Sequence, residues 1–150
     1  MPGMGRRTQH AWFETPLGDC AIVWGEAGVR GLMLPGADRA RTLASLRRRH
    51  PDSSEAAPTP AIAAAIAALR SLLAGRPQPL DDIALDMAGV PEFHQRVYDA
   101  ARRIGPGHTC TYGELAEVLG EPGAARAVGQ ALGANPFAII VPCHRVLAAG

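Results

Sequence analysis

The densest concentration of reactive side chains is Pro142-Cys143-His144-Arg145-Val146, which follows the apolar run Phe137 to Val141. A thiol leaving an apolar run is inert by default, because burial disfavours the thiolate and raises its pKa. His144 and Arg145 change that prospect by placing a proton acceptor and a fixed cation within two residues. Neighbours in extended chain point to opposite faces, so contact between Cys143 and His144 requires a turn or a bridging water. Two readings stay open on these residues alone, a nucleophilic thiol and a buried structural cysteine. A Cys/His hydrolase would also need an oxyanion hole and an orienting Asn, and no recognisable spacing supplies them.

The other two cysteines, Cys20 and Cys110, bring the count to three with no CxxC pair, against both a disulfide framework and a structural zinc site. His10, His50 and His108 fall in no ligand spacing. No metal and no cofactor is expected, and a reducing cytoplasm fits the free thiols. The opening stretch MPGMGRRTQHAW has no apolar signal core, and the run Ala61 to Leu73 is too short to cross a bilayer and contains Arg70. No membrane partner is expected.

The 150 residues are 47% hydrophobic and 19% charged, which supports one or two small packed domains and excludes a disordered chain. All 15 basic residues are Arg, against 14 acids, for a formal net charge of +1. The balance is 10 Arg against 9 acids before Pro91, and 5 against 5 from there on. Any nucleic-acid contact must therefore rest on few, well-placed groups.

The elements that must position the thiol are legible in outline. Short apolar runs from Ala11 to Leu34, broken at Pro16-Leu17-Gly18 and at Gly25 to Gly28, predict a small antiparallel sheet. Ala37 to His50 reads as a helix ending in Arg47, Arg48 and Arg49. That triple Arg is either a solvated helix terminus, complementing the helix dipole, or a nucleic-acid patch. Asp52 to Pro60 reads as a linker, Thr59-Pro60 as the start of an Ala-rich helix stopping at Gly75, and Ile83 to Met87 as a short strand.

A second domain is expected from Pro91, the first residue of a helix with Phe93, Val97 and Ala101 on one face. Thr111 and Glu114 make a capping box before Leu115, Val118 and Leu119. A three-residue turn, Gly120-Glu121-Pro122, then leads to a Gly/Ala-rich helix from about Gly123 to Ala134 whose only charge is Arg126. From spacing alone this is either a tightly packed helix pair or a helix-turn-helix with a flat face for a partner. Phe137 to Val141 reads as a buried strand delivering Cys143.

Taken in order, Thr111-Tyr112-Gly113-Glu114-Leu115-Ala116, Ala125-Arg126-Ala127-Val128-Gly129, Asn135-Pro136 and Ile140 to Val146 resemble the O6-alkylguanine-DNA alkyltransferases, a family also called methylated-DNA–protein-cysteine methyltransferases. Thr15-Pro16-Leu17-Gly18 is similar to that family's first hairpin. The resemblance implies an α/β protein with a ribonuclease H-like small sheet and helix over residues 1–90. A winged-helix-like helical domain with a helix-turn-helix would follow over 91–150. It implies double-stranded DNA carrying an alkylated guanine as partner, entered from the minor groove by a monomer.

Residue by residue, the resemblance makes Cys143 the acceptor of a methyl or small alkyl group from guanine O6, with O4-alkylthymine as a second substrate, in a single irreversible turnover. His144 would relay the proton through water, Arg126 would fill the stack left by the flipped nucleotide, and Tyr112 would crowd the neighbouring phosphate and contact the flipped base. Tyr112, Pro142 and Val146 would line the base pocket, with the Cys143 and Val146 carbonyls facing the exocyclic amine. His94 and Gly113 match positions near the DNA backbone, and Asn135 matches a hinge tying the recognition helix to the cysteine segment. The alternative is a non-catalytic alkyltransferase-like module that binds lesions without accepting the alkyl group. The family pattern continues past PCHRV with a Gly-rich loop and a helix whose Glu orients the His. A chain stopping at Gly150 is thus expected to be poorly soluble and slow to react.

Overall fold

The computed structural model of the chain describes residues 7–148. The expectation about the chain end bears on Gly150, which lies outside the described residues. Two compact units divide between Asp86 and Met87.

The first unit is built on strands β1 (Gln9–Thr15), β2 (Gly18–Trp24) and β3 (Val29–Met33), antiparallel as the apolar runs and the breaks between them predict. Period-2 alternation puts Trp12, Ala21, Val23 and Met33 on one face, where α1 (Arg39–Arg49) covers them with Leu43 and Leu46. The opposite row, with Ala11, Phe13, Cys20 and Ile22, is buried as well. Helix α2 (Pro60–Leu73), with Ile62, Ala65, Ile66 and Leu69 buried, runs against β1. Thr59 caps α2 and Pro60 occupies its first turn, as the sequence expects.

Two expectations for this unit need correction. The Asp52 to Pro60 segment is no plain linker, because Ser54–Glu55 forms β4 and pairs parallel to Gln9 and His10, giving the order β3-β2-β1-β4. Two exposed polar residues carry no apolar alternation, so nothing in their pattern announces a strand. Conversely, Ile83 to Met87 is not a strand: Leu85 makes a single bridge to Val29, held by Val29 N–H to Ala84 and Asp86 N–H to Val29.

The second unit opens with α3 (Glu92–Arg102), for which Pro91 is the cap and not the first helical residue. Strand β5 (Cys110–Thr111) leads into α4 (Tyr112–Val118) through the full capping box of Thr111 and Glu114. Helix α5 (Ala125–Gly133) begins two residues later than expected, and the connection runs from Leu119 to Ala124. The added length is conformational, since Gly120 and Gly123 both adopt positive φ (76° and 93°) and break the helix on either side of Pro122. Arg96 holds the connection from α3, pairing with Glu121 at 2.8 Å and donating to the Leu119 carbonyl. A 3-10 turn, Cys143–Arg145, then leads into β6 (Val146–Leu147), which pairs parallel with β5. No helix among the described residues is long and apolar enough to cross a membrane.

Burial pushes two histidines of the first unit below the usual imidazole range. His50, the C-cap of α1, has its Nε2 buried without a hydrogen-bond partner. Burial first, then Arg49 and Arg30, pushes its pKa below the usual value. His10 bonds Ser53 Oγ at 3.0 Å and is lowered by burial, with Glu55 opposing. Because the folded pKa values lie below the unfolded value of about 6.5, the unfolded chain binds more protons in that window, and stability falls as pH drops through it. The melting temperature is expected to be lower at pH 5.5 than at pH 7.5, and His50→Gln should shrink that difference, as read by circular dichroism.

Candidate functional site

The site is organised around a hairpin-like reversal that the sequence does not announce. Phe137 to Val141 is not a strand but a tight turn, in which Val141 N–H donates to the Phe137 carbonyl (2.9 Å) and Ile140 N–H to Ala138 (2.8 Å). Ile139 sits at φ 72°, the only non-glycine with positive φ among the described residues. For a β-branched side chain this costs about 1–3 kcal/mol, which its surroundings must offset. Apolar composition alone does not distinguish such a turn from a strand, and it misleads here because Phe137, Ile140 and Val141 are all buried.

Asn135 supplies the offset. Its Oδ1 accepts from Phe137 N–H at 2.8 Å and its Nδ2 donates to the Val141 carbonyl at 3.1 Å, so one side chain grips both ends of the reversal. Pro142 follows at φ −79°, ψ 69°, an inverse γ-turn closed by Cys143 N–H to Val141 (2.8 Å). Val146 N–H then donates to the Cys143 carbonyl, and Arg145 reaches back to the Ile104 carbonyl at 2.7 Å. The Cys143 carbonyl therefore keeps one lone pair for another donor.

On this support Pro142 is buried, Cys143 half-buried and His144 exposed. Cys143 and His144 share a 3-10 turn and not extended chain, and among the described residues the His144 side chain makes no hydrogen bond. Beneath it lies Tyr98, fully buried, donating to the Ala131 carbonyl at 2.6 Å and meeting Phe137 edge-on at 6.0 Å. Burial, and next the proximity of Cys143, raises the pKa of this phenol. The sequence reading missed Tyr98; its one signal was a large polar-tipped ring beside Val97 on the buried face of α3.

All three cysteines are free. Burial pushes the Cys20 thiol up, with a Thr15 hydrogen bond opposing, and burial together with Glu114 raises Cys110. Neither offers much thiolate at neutral pH. Among the described residues no group of three His, Cys, Asp or Glu side chains is placed to hold a metal ion.

The remaining candidates lie on α3, α4 and α5. Tyr112, the first residue of α4, lays its ring on α5 at Gly129, where an added Cβ would stand 3.0 Å from Cε2. Gly129 is thus required by packing. Gly113 is different: a Cβ there would meet nothing nearer than Thr111 Oγ1 at 3.9 Å, so packing within the chain does not demand glycine. Arg126 is exposed in the first turn of α5, where no acidic residue and no side-chain cap offsets the helix dipole. His94 stacks edge-on against Tyr98 at 6.1 Å.

A family model described as the 6-O-methylguanine DNA methyltransferase DNA binding domain matches residues 92–150. The methylated-DNA–protein-cysteine methyltransferase of Methanothermobacter thermautotrophicus is 36% identical over 132 residues, 88% of this chain and 68% of its own length. The chain belongs to the methylated-DNA–protein-cysteine methyltransferase family. The family member from Mycolicibacterium paratuberculosis is 52% identical over 89 residues, 59% of this chain and 53% of its length. The crystal structure of Mycobacterium tuberculosis OGT in complex with DNA is similar with a TM-score of 0.71 and 36% identity, covering 94% of this chain and 79% of that one. The chain spans about half the length of the first curated relatives it matches. The α/β class expected from the sequence is that of the solved family members.

Asn135 offers a direct test of the support. In Asn135→Ala both bonds are lost, at about 0.5–1.5 kcal/mol each. Asn135→Asp keeps the acceptor for Phe137 but turns a carboxylate toward the Val141 carbonyl, which raises the new group's folded pKa. Its stability should be retained below the unfolded carboxyl range and lost as pH rises through the raised value. Thermal melts of the two variants between pH 4 and pH 7 should show Asn135→Asp falling below Asn135→Ala at the upper end.

Proposed function

We propose that this chain repairs DNA by direct reversal, moving a methyl or small alkyl group from guanine O6 to Cys143 in one turnover. The observation that carries the reading is the placement of Cys143: a free, half-exposed thiol on a 3-10 turn, pinned by Asn135, inside the segment that matches the family's DNA binding domain. In the transfer the sulfur forms a bond to the alkyl carbon and the carbon–oxygen bond breaks, leaving its electron pair on guanine O6. The thiol proton passes through water to His144, and a proton returns to the guanine, so the products are an S-alkyl cysteine and unmodified guanine. No cofactor is consumed.

The partner is double-stranded DNA with an alkylated guanine, approached from the minor groove by a monomer in the cytoplasm. The helix pair α4 and α5 presents the reading surface. Arg126 takes the place of the flipped nucleotide, Tyr112 meets the flipped base and the adjacent phosphate, and Pro142 and Val146 line the base pocket. Gly113 and His94 lie along the backbone. Three features support these roles: an exposed Arg where the helix dipole disfavours a cation, a glycine at 113 that internal packing does not require, and the family member solved with DNA.

The test is intact mass after incubation with a duplex carrying one O6-methylguanine. One methyl group per chain, mapped to Cys143 and absent in Cys143→Ser, is expected; binding with no mass gain would instead favour a lesion-binding module, and uptake at Cys20 or Cys110 would remove Cys143 as acceptor. Arg126→Ala should slow reaction with the duplex far more than with free O6-benzylguanine, since only the duplex needs its stack refilled.

A further inference from the structure

Helix α1 carries Arg39, Arg41, Arg47, Arg48 and Arg49, a third of the chain's 15 basic residues within 11 positions, and no acid. Arg39 is accounted for: it stacks 4.2 Å over the Trp12 ring and pairs with Asp19 at 3.3 Å. The other four are exposed, and among the described residues none has an ion-pair partner. Thr42 and Leu46 define the buried side of the helix, so at about 100° per residue Arg48 projects most nearly opposite to it, with Arg41 and Arg47 on either side, while Arg49 points to the buried side and is exposed as the last residue of the helix. Arg41 and Arg48 stand about 10 Å apart along the axis.

Helix stability does not explain this pattern. Arg47, Arg48 and Arg49 complement the dipole at the C-terminal end, but Arg41 lies in the first turn, where a cation opposes the dipole; the acid at that end, the N-cap Asp38, accepts from the Arg41 backbone N–H at 2.9 Å and makes no ion pair with its guanidinium. We infer that the exposed face of α1 binds the phosphate backbone of duplex DNA, separate from the alkyl-accepting site and indifferent to base sequence. Charge complementarity selects a polyanion, and the form of the helix selects among polyanions. Insertion into a membrane surface would need an apolar face, yet the large apolar residues of α1, Leu43 and Leu46, are turned into the sheet and no large apolar residue of the helix is exposed. A single strand would need aromatic platforms, and α1 has none. The choice of duplex DNA rests on the repair function proposed above; the existence of the cationic face does not.

The test uses the full chain and a short undamaged duplex, with affinity measured across a salt series. Replacing Arg41, Arg47, Arg48 and Arg49 together by Gln should make the slope of log affinity against log salt shallower by about 2 to 3, at about 0.9 for each phosphate no longer neutralised. The same four positions changed to Lys should keep the wild-type slope, because charge and not side-chain shape is required; the Lys variant should melt as the parent does, and the Gln variant should stay folded with a slightly lower melting temperature, since three cations that complement the helix dipole are lost. Reaction with free O6-benzylguanine should be unchanged in both. An unchanged slope in the Gln variant, or binding to phosphatidylserine vesicles that disappears in that variant while duplex binding stays, would overturn the inference. A chain that accepts no methyl group but still shows the shallower slope in the Gln variant would overturn the alkyl-transfer reading alone.

Discussion

The two hydrogen bonds of Asn135 are the constraint on which the placement of the Cys143 segment depends. They close a reversal that contains a β-branched residue in the left-handed region, a conformation the local sequence would not choose. Everything after it inherits its direction: the γ-turn at Pro142, the 3-10 turn of Cys143, and the short parallel pairing of β6 with β5 that brings Val146 opposite Cys110. A flexible loop carrying the same residues would leave the thiol free to turn into the apolar layer below it, where burial would hold it protonated.

Support for that reversal comes from below as well as from the side. Tyr98 reaches from α3 to the last turn of α5 through its hydroxyl and to the start of the reversal through its ring. Its polar tip gives a second donor to the Ala131 carbonyl near the end of α5, which also accepts from Ala134 N–H, while its apolar body fills the space beneath Phe137. The second unit thus places one polar bond inside its core and uses it to register a helix against a turn. Gly129 performs a comparable service on the other side of α5, by leaving room for the Tyr112 ring.

How much of this was legible in the sequence depends on the kind of signal. Capping residues spoke plainly: Thr59 and Thr111 mark helix starts because a side-chain oxygen at that place has one obvious donor to accept from. The sheet was legible in short apolar runs broken at Pro16-Leu17-Gly18 and at Gly25 to Gly28, because such breaks leave room only for short strands joined by tight turns. Cys143 itself stood out by composition. Phe137 to Val141 did not, because five apolar residues look alike whether they extend or fold back, and the deciding partner, Asn135, acts through a side chain that no periodicity records. Ser54–Glu55 was invisible because an exposed edge pairs through backbone alone. The reach of Arg145 to Ile104 lies beyond any local pattern.

That reach has a consequence for how the thiol comes into being. The turn that carries Cys143 is closed by a bond spanning 41 residues, and the ring under it by another spanning 33. Closing such loops costs chain entropy that only collapse of the whole unit repays. A peptide cut out around Cys143 would therefore hold an ordinary cysteine with no preferred orientation. The orientation of that one sulfur atom depends on the packing of the whole unit, since the bonds that hold its turn join residues far apart in the chain.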